Sequence, residues 1–125
     1  MFTDAEVRYL SDPERRLARV ATVGANGMPH VVPSGWSFNR ALNTIDLGGM
    51  NLTASKKYRD VARSGRAAVV IDDVLPPWHP RGIEIRGRAE AIDGPDPLIR
   101  IHPHRIVSWG IDSDVVGKRN SRRVA

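Results

Sequence analysis

The chain has 125 residues and a mass of 13.8 kDa, with 19 Lys and Arg against 14 Asp and Glu, a formal charge of +5. That length supports one hydrophobic core and not two, and 41% apolar with 26% charged residues is a globular balance rather than a disordered one. The absence of cysteine excludes disulfides, thiolate metal sites and a cysteine nucleophile. No apolar run reaches the ~20 residues of a membrane helix and no secretion signal opens the chain, so the expected compartment is the cytoplasm.

An isoelectric point near 10.4 invites a nucleic-acid reading. Lys118, Arg119, Arg122 and Arg123 nevertheless lie together at the C-terminus, and without them fifteen basic residues face fourteen acidic ones. The sequence therefore divides into a nearly neutral domain, residues 1–116, and a basic tail, residues 117–125, expected to be solvated and mobile.

Thr3-Asp4-Ala5-Glu6 has capping-box spacing and predicts a short helix that stops near Asp12-Pro13. The period then changes to two. Leu17–Gly24 and Met28–Phe38 flank Ala25-Asn26-Gly27 and predict a hairpin, with a further strand over Thr44–Gly48. In Thr53–Ser64 the apolar residues Ala54, Tyr58, Val61 and Ala62 fall on one helical face, and Gly65 suits the residue after the helix. Ala67–Ile71 reads as a buried strand, with Asp72-Asp73 as its end entering a turn. Gly82–Ile92 alternates, and Ile99–Trp109 is a last strand broken by Pro103. Six strands with short turns predict a mainly β fold, an antiparallel sheet curled into a barrel, with one inserted helix and one short N-terminal helix.

The start of the inserted helix carries the strongest chemical signal. Lys56 and Lys57 stand in a first turn, where aligned peptide dipoles disfavour each cation by about 0.3–1 kcal/mol. A bound phosphate would compensate, held by free amides, by the hydroxyls of Thr53 and Ser55 and by the two ammonium groups. The bland alternative is two solvated lysines. Gly48-Gly49 just upstream would let a ligand approach the backbone. In Val31-Val32-Pro33-Ser34-Gly35-Trp36, proline and glycine inside a strand-like run leave amides free for the polar edge of a heterocycle, or mark a bulged edge strand. Trp78 and Arg81, in a proline-rich loop, could stack on a ring, as could Trp109, although tryptophans also serve as core. His102 and His104 lack a third ligand and are taken as structural or surface groups, so no metal is expected; His79 is a candidate proton donor. No nucleophile elbow, phosphate loop or dinucleotide fingerprint is present, so no side chain is assigned as catalytic and a cofactor must carry any reaction.

These segments, in this order, resemble the pyridoxamine 5'-phosphate oxidase-like superfamily, and within it the short actinobacterial branch that uses the deazaflavin coenzyme F420. The matching pieces are Val32-Pro33-Ser34-Gly35-Trp36, Gly48-Gly49, Thr53-Ala54-Ser55-Lys56-Lys57-Tyr58-Arg59-Asp60 and Arg86-Gly87-Arg88-Ala89, across residues 3–112. The resemblance implies a split β-barrel homodimer with cofactor at the subunit interface. It implies that Thr53, Ser55, Lys56 and Lys57 hold the cofactor phosphate, and that Val32, Pro33, Ser34 and Gly35 line the ring beside Leu47 and Gly48. Trp78, His79, Pro80 and Arg81 would approach from the other subunit, with Trp109 closing that side. His30 stands where the FMN-dependent vitamin B6 oxidases carry an arginine, and their closing C-terminal Trp and Arg are missing, which argues against pyridoxine phosphate oxidation. The expected activity is F420-dependent hydride transfer to a small unsaturated substrate. FMN in a flavin reductase or oxidase is the alternative cofactor, and a non-catalytic cofactor carrier is a third reading. Contact with nucleic acid is not expected of the barrel, which lacks the aromatic–basic interleaving of single-strand binders.

Overall fold

A computed structural model describes residues 1–12, 14, 16–112 and 118–125. Helix α1 (Asp4–Leu10) is followed by β1 (Ala18–Val23), β2 (Pro29–Ser34), β3 (Trp36–Asn39) and β4 (Thr44–Leu47). A 3-10 turn (Leu52–Ala54) leads into α2 (Lys56–Ser64), then β5 (Arg66–Leu75), β6 (His79–Ile92), β7 (Leu98–Trp109) and β8 (Arg119–Arg123). The mainly β expectation holds, with eight strands among the described residues rather than six. Part of the difference is at Gly35, which divides the run after the first turn into β2 and β3.

All pairings are antiparallel, in the order β2-β1-β5-β6-β7-β4-β3. Strand β7 is long enough to serve two partners on one edge. Ile99–Ile101 pair with β4, and Arg105–Trp109 pair with β8. This division gives the curled sheet its split-barrel form. Alternation places Val20, Val69, Ile71, Ile83, Ile85, Ile99, Ile101 and Ile106 inside, each no more than 1% exposed. Pro103 does not break β7. It lies opposite Gly87 at a register shift between Arg86 and Gly87, and a Cβ on Gly87 would overlap the His102 carbonyl oxygen. The bulge absorbs the residue that cannot donate to the ladder.

The C-terminal segment also departs from the sequence expectation. Residues 119–123 are a strand on β7, not a mobile tail, while the boundary expected at residues 116 and 117 lies outside the described residues. Arg122 turns inward to Glu6 of α1, a carboxylate with no solvent exposure. Glu6 also accepts from Ser108 Oγ at 2.8 Å and from the Thr3 amide at 3.0 Å, completing the capping box. Arg122 is thus taken up by the core, while Lys118, Arg119 and Arg123 stay exposed.

Helix α2 buries a narrower face than its apolar spacing predicts. Val61 and Asp60 are buried and Tyr58 is half-buried, whereas Ala54 and Ala62 are exposed. The sequence pattern could not reveal that a carboxylate replaces alanine on the packed side.

Candidate functional site

Among the described residues strand β2 has a neighbour on one side only, so half of its amide and carbonyl groups face no described strand. Its covered face carries His30, Val32 and Ser34, while Val31 and Pro33 are exposed on the other. Ser34 Oγ donates to the Gly35 carbonyl at 2.9 Å and lies 3.4 Å from the Gly48 carbonyl, joining the end of β2 to the end of β4. The guanidinium of Arg100 clamps Asp46 of β4 with two bonds of 3.1 Å, which fixes where Leu47 and Gly48 emerge. The Leu47 side chain is wholly in the core, so this residue can offer a ligand only its backbone.

Space is open above this junction. A Cβ added at Gly35, Gly48 or Gly49 would meet no atom within 4 Å. Along β2 from Ser34 to His30 is four residues, about 13 Å of strand. His30 lies opposite Thr22 in the ladder, and its Nδ1 is buried with no hydrogen-bond partner. The sequence reading did not select His30 for the site. Its signal was a histidine on the same face as Val32 and Ser34, one strand away from the lysine helix.

At that end α2 packs over β1. Ser55 caps the helix: its Oγ accepts from the Tyr58 amide at 3.3 Å and donates to the Leu52 carbonyl at 2.6 Å. Lys56 Nζ lies 3.0 Å from both carboxylate oxygens of Asp60, and Thr22 Oγ1 donates to Asp60 at 2.9 Å. The hydrogen bond from Lys56, aided by that from Thr22, holds the Asp60 carboxyl below its usual range. The exposed Thr53 and half-buried Lys57 have no described side-chain hydrogen bond or ion pair. Of the four residues expected at a phosphate, two are thus committed within the protein and two are free.

Trp78, Arg81 and Trp109 lie elsewhere. Ser34 and Ile71 both pair with Ala18, and the β5–β6 turn lies beyond Leu75, about 15 Å of sheet from Ser34. Trp78 at that turn is 69% exposed. Arg81 is not free to stack on a ligand. Its Nε and NH2 bond Asp73 at 2.8 and 2.9 Å, and with Arg16 it covers the Tyr9 ring, at 5.2 and 4.2 Å from the centroid. Asp73 therefore lies within a strand and anchors a charge cluster, rather than entering a turn. Burial would raise its carboxyl, but bonds from Arg81, Tyr9 and Arg16 lower it to about 2. His79 Nε2 lies 2.9 Å from the Gly110 carbonyl, and Trp109 is half-buried opposite Gly82 and Arg119. His102 pairs with Glu90 at 2.9 Å. Within this chain the strip from His30 to Gly48 and the Trp78 group lie apart, as two separate groups of residues.

A sequence model of the pyridoxamine 5'-phosphate oxidase family matches residues 3–121. The chain belongs to that family. It is a split-barrel oxidoreductase family, and the curled antiparallel sheet described above is its fold. A 5a,11a-dehydrotetracycline/5a,11a-dehydrooxytetracycline reductase of Streptomyces rimosus is 39% identical over 91% of this chain and 87% of its own length. Two solved structures share the fold. A FAD-binding protein from Mesorhizobium loti superposes with a TM-score of 0.66 at 18% identity, over 86% of this chain and 93% of its own. An F420 reductase does so with a TM-score of 0.57 at 18% identity, over 73% and 88%. Among the described residues no helix is long and apolar enough to cross a membrane, and no three ligating side chains gather as a metal site.

Proposed function

We propose that this protein is an F420-dependent oxidoreductase, acting as a homodimer on a conjugated organic substrate. The observation that carries the reading is the strip itself: open space above Gly35, Gly48 and Gly49 at one end and the unsatisfied His30 Nδ1 toward the other, with the unpaired Lys57 on the helix that packs over the neighbouring strand β1. An elongated cofactor with a flat ring and a phosphate fits that polarity. The unpaired edge of β2 at Val32–Gly35 binds the polar rim of the ring, and the backbone of Leu47 and Gly48 bounds it. Thr53, Lys57 and the capped start of α2 take the phosphate; Ser55 contributes by holding that start in shape.

When bound, the deazaflavin supplies hydride chemistry. The chain's own residues bind, orient and exclude water. Trp78, exposed and remote from the strip in its own protomer, covers the ring of a second copy, and Trp109 lines that side. Arg81 acts indirectly, stiffening the base of the Trp78 turn through Asp73. The Streptomyces rimosus relative suggests the substrate class: a flat, unsaturated polycycle of the dehydrotetracycline kind.

The test is titration of the purified protein with F420 and with FMN, followed by tryptophan fluorescence, with sedimentation to give the oligomeric state. F420 should bind the tighter and the protein should sediment as a dimer. Tighter binding of FMN would replace F420 by the flavin. The FAD-binding neighbour favours this second reading, because the backbone edge of β2 recognises any tricycle of that shape. A monomer in solution would refute the shared site.

A further inference from the structure

The two adjacent lysines of α2 are alike in sequence and unlike in structure. Lys56 reaches both oxygens of Asp60 at 3.0 Å, and Asp60 is only 5% exposed, with Thr22 Oγ1 as its third partner. The ammonium also lies just past the end of β1, where a Cβ at Gly24 would come 3.0 Å from Nζ. Lys57 has no ion pair among the described residues.

The Lys56–Asp60 pair stands in the weaker order for the helix. A cation one turn N-terminal to an anion works against the peptide dipole, and the reverse order is the more stabilising one. Burying the carboxylate adds a desolvation cost that the pair must offset. What the arrangement achieves is geometric. Two elements meet in it: α2 through Lys56 and Asp60, and β1 through Thr22, with Gly24 just past the end of that strand.

Resting on the cofactor-site reading above, we infer that Lys56 is a positioning residue, which with Asp60 and Thr22 pins the start of α2 to β1, and that Lys57 alone gives its charge to the phosphate. The ion pair already neutralises Lys56. A phosphate bonding to it would compete with a buried carboxylate for the same three protons. Lys57 meets no such competitor.

The experiment compares Lys57→Gln with the double variant Lys56→Gln/Asp60→Asn, in which an uncharged hydrogen bond can replace the ion pair. Binding of F420 and FMN is measured at low and high salt, and unfolding is followed in urea. Lys57→Gln should weaken binding of the preferred cofactor by about tenfold or more, the size of a charge-assisted hydrogen bond, and flatten its salt dependence. The double variant should bind within about threefold of wild type with the salt dependence retained. A double variant as weak as Lys57→Gln would overturn the inference.

The single variants Lys56→Gln and Asp60→Asn should each destabilise the fold, with less than additive loss in the double. Additive losses would also overturn the inference, and that result does not depend on any cofactor. Wild-type protein binding neither F420 nor FMN would instead refute the cofactor reading, while the urea cycle still decides whether Lys56 and Asp60 act as a unit.

Discussion

Replacing Arg122 by alanine should unfold the link between the two ends of the chain. In the native protein its guanidinium nitrogens lie 3.0 and 2.5 Å from the carboxylate oxygens of Glu6, which has no solvent exposure. Without Arg122, Glu6 keeps only the Thr3 amide and the Ser108 hydroxyl. Removing one partner of a buried pair typically costs about 3–5 kcal/mol. The Arg122 side chain is 26% exposed and two donors remain, so a loss of about 2–3 kcal/mol is expected. For a domain of this length that lowers Tm by about 10 °C.

The assay is thermal and urea unfolding of Arg122→Ala beside Arg123→Ala, an exposed neighbour on the same strand whose loss should cost about 0.5 kcal/mol or less. The acid limb adds a second readout. Burial pushes the Glu6 carboxyl up, but bonds from Arg122, Thr3 and Ser108 together hold it below the ordinary value of 4.5. Glu6 therefore stabilises the protein above that pH, and the contribution is lost as pH falls through the lower folded value. With Arg122 removed, burial dominates and the acid limb should move to higher pH. Equal stability of the two arginine variants, with unchanged acid limbs, would refute the account and return residues 119–123 to a tail.

Three further outcomes follow from the same physics. Asp73→Asn should cost about 1–2 kcal/mol near neutrality and almost nothing near pH 2, because a carboxyl lowered to about 2 stabilises above 3.8 and loses that effect as pH falls through 2; urea titrations at both pH values check it. Gly87→Ala should cost about 3 kcal/mol or more through overlap with the His102 carbonyl, whereas Gly48→Ala, with open space for its Cβ, should keep the wild-type Tm and weaken cofactor binding; a Gly87→Ala protein melting within 2 °C of wild type would contradict the bulge, the threshold being about 0.5 kcal/mol. Trp78→Phe should remove most acrylamide quenching of intrinsic fluorescence, since Trp36 is buried and Trp109 half-buried; unchanged quenching would mean that the turn is covered.

The strands were legible wherever one face is buried, because burial forces an alternation that survives in the sequence. Ile83, Ile85 and Ala89 are the clearest case. Strand β8 was illegible because Arg-Asn-Ser-Arg-Arg has no apolar alternation; it is held by its ladder with β7 and by the bond of Arg122 to Glu6, more than a hundred residues earlier. Arg81 looked like a ring-stacking residue from its loop, but Tyr9, Arg16 and Asp73 reach it only through the folded sheet. The i, i+4 spacing of Lys56 and Asp60 was visible, and the burial that makes it matter was not.

The sequence alone determined the fold class and the inserted helix with an unusual pair of lysines at its start. Both depend on local period or helix electrostatics. Tertiary structure decided which lysine is free, what the basic C-terminus does, and that the Trp78 group lies apart from the strip within the chain. Those depend on what each charge meets across the barrel, and a charge is paired or unpaired only once its neighbours in space are fixed.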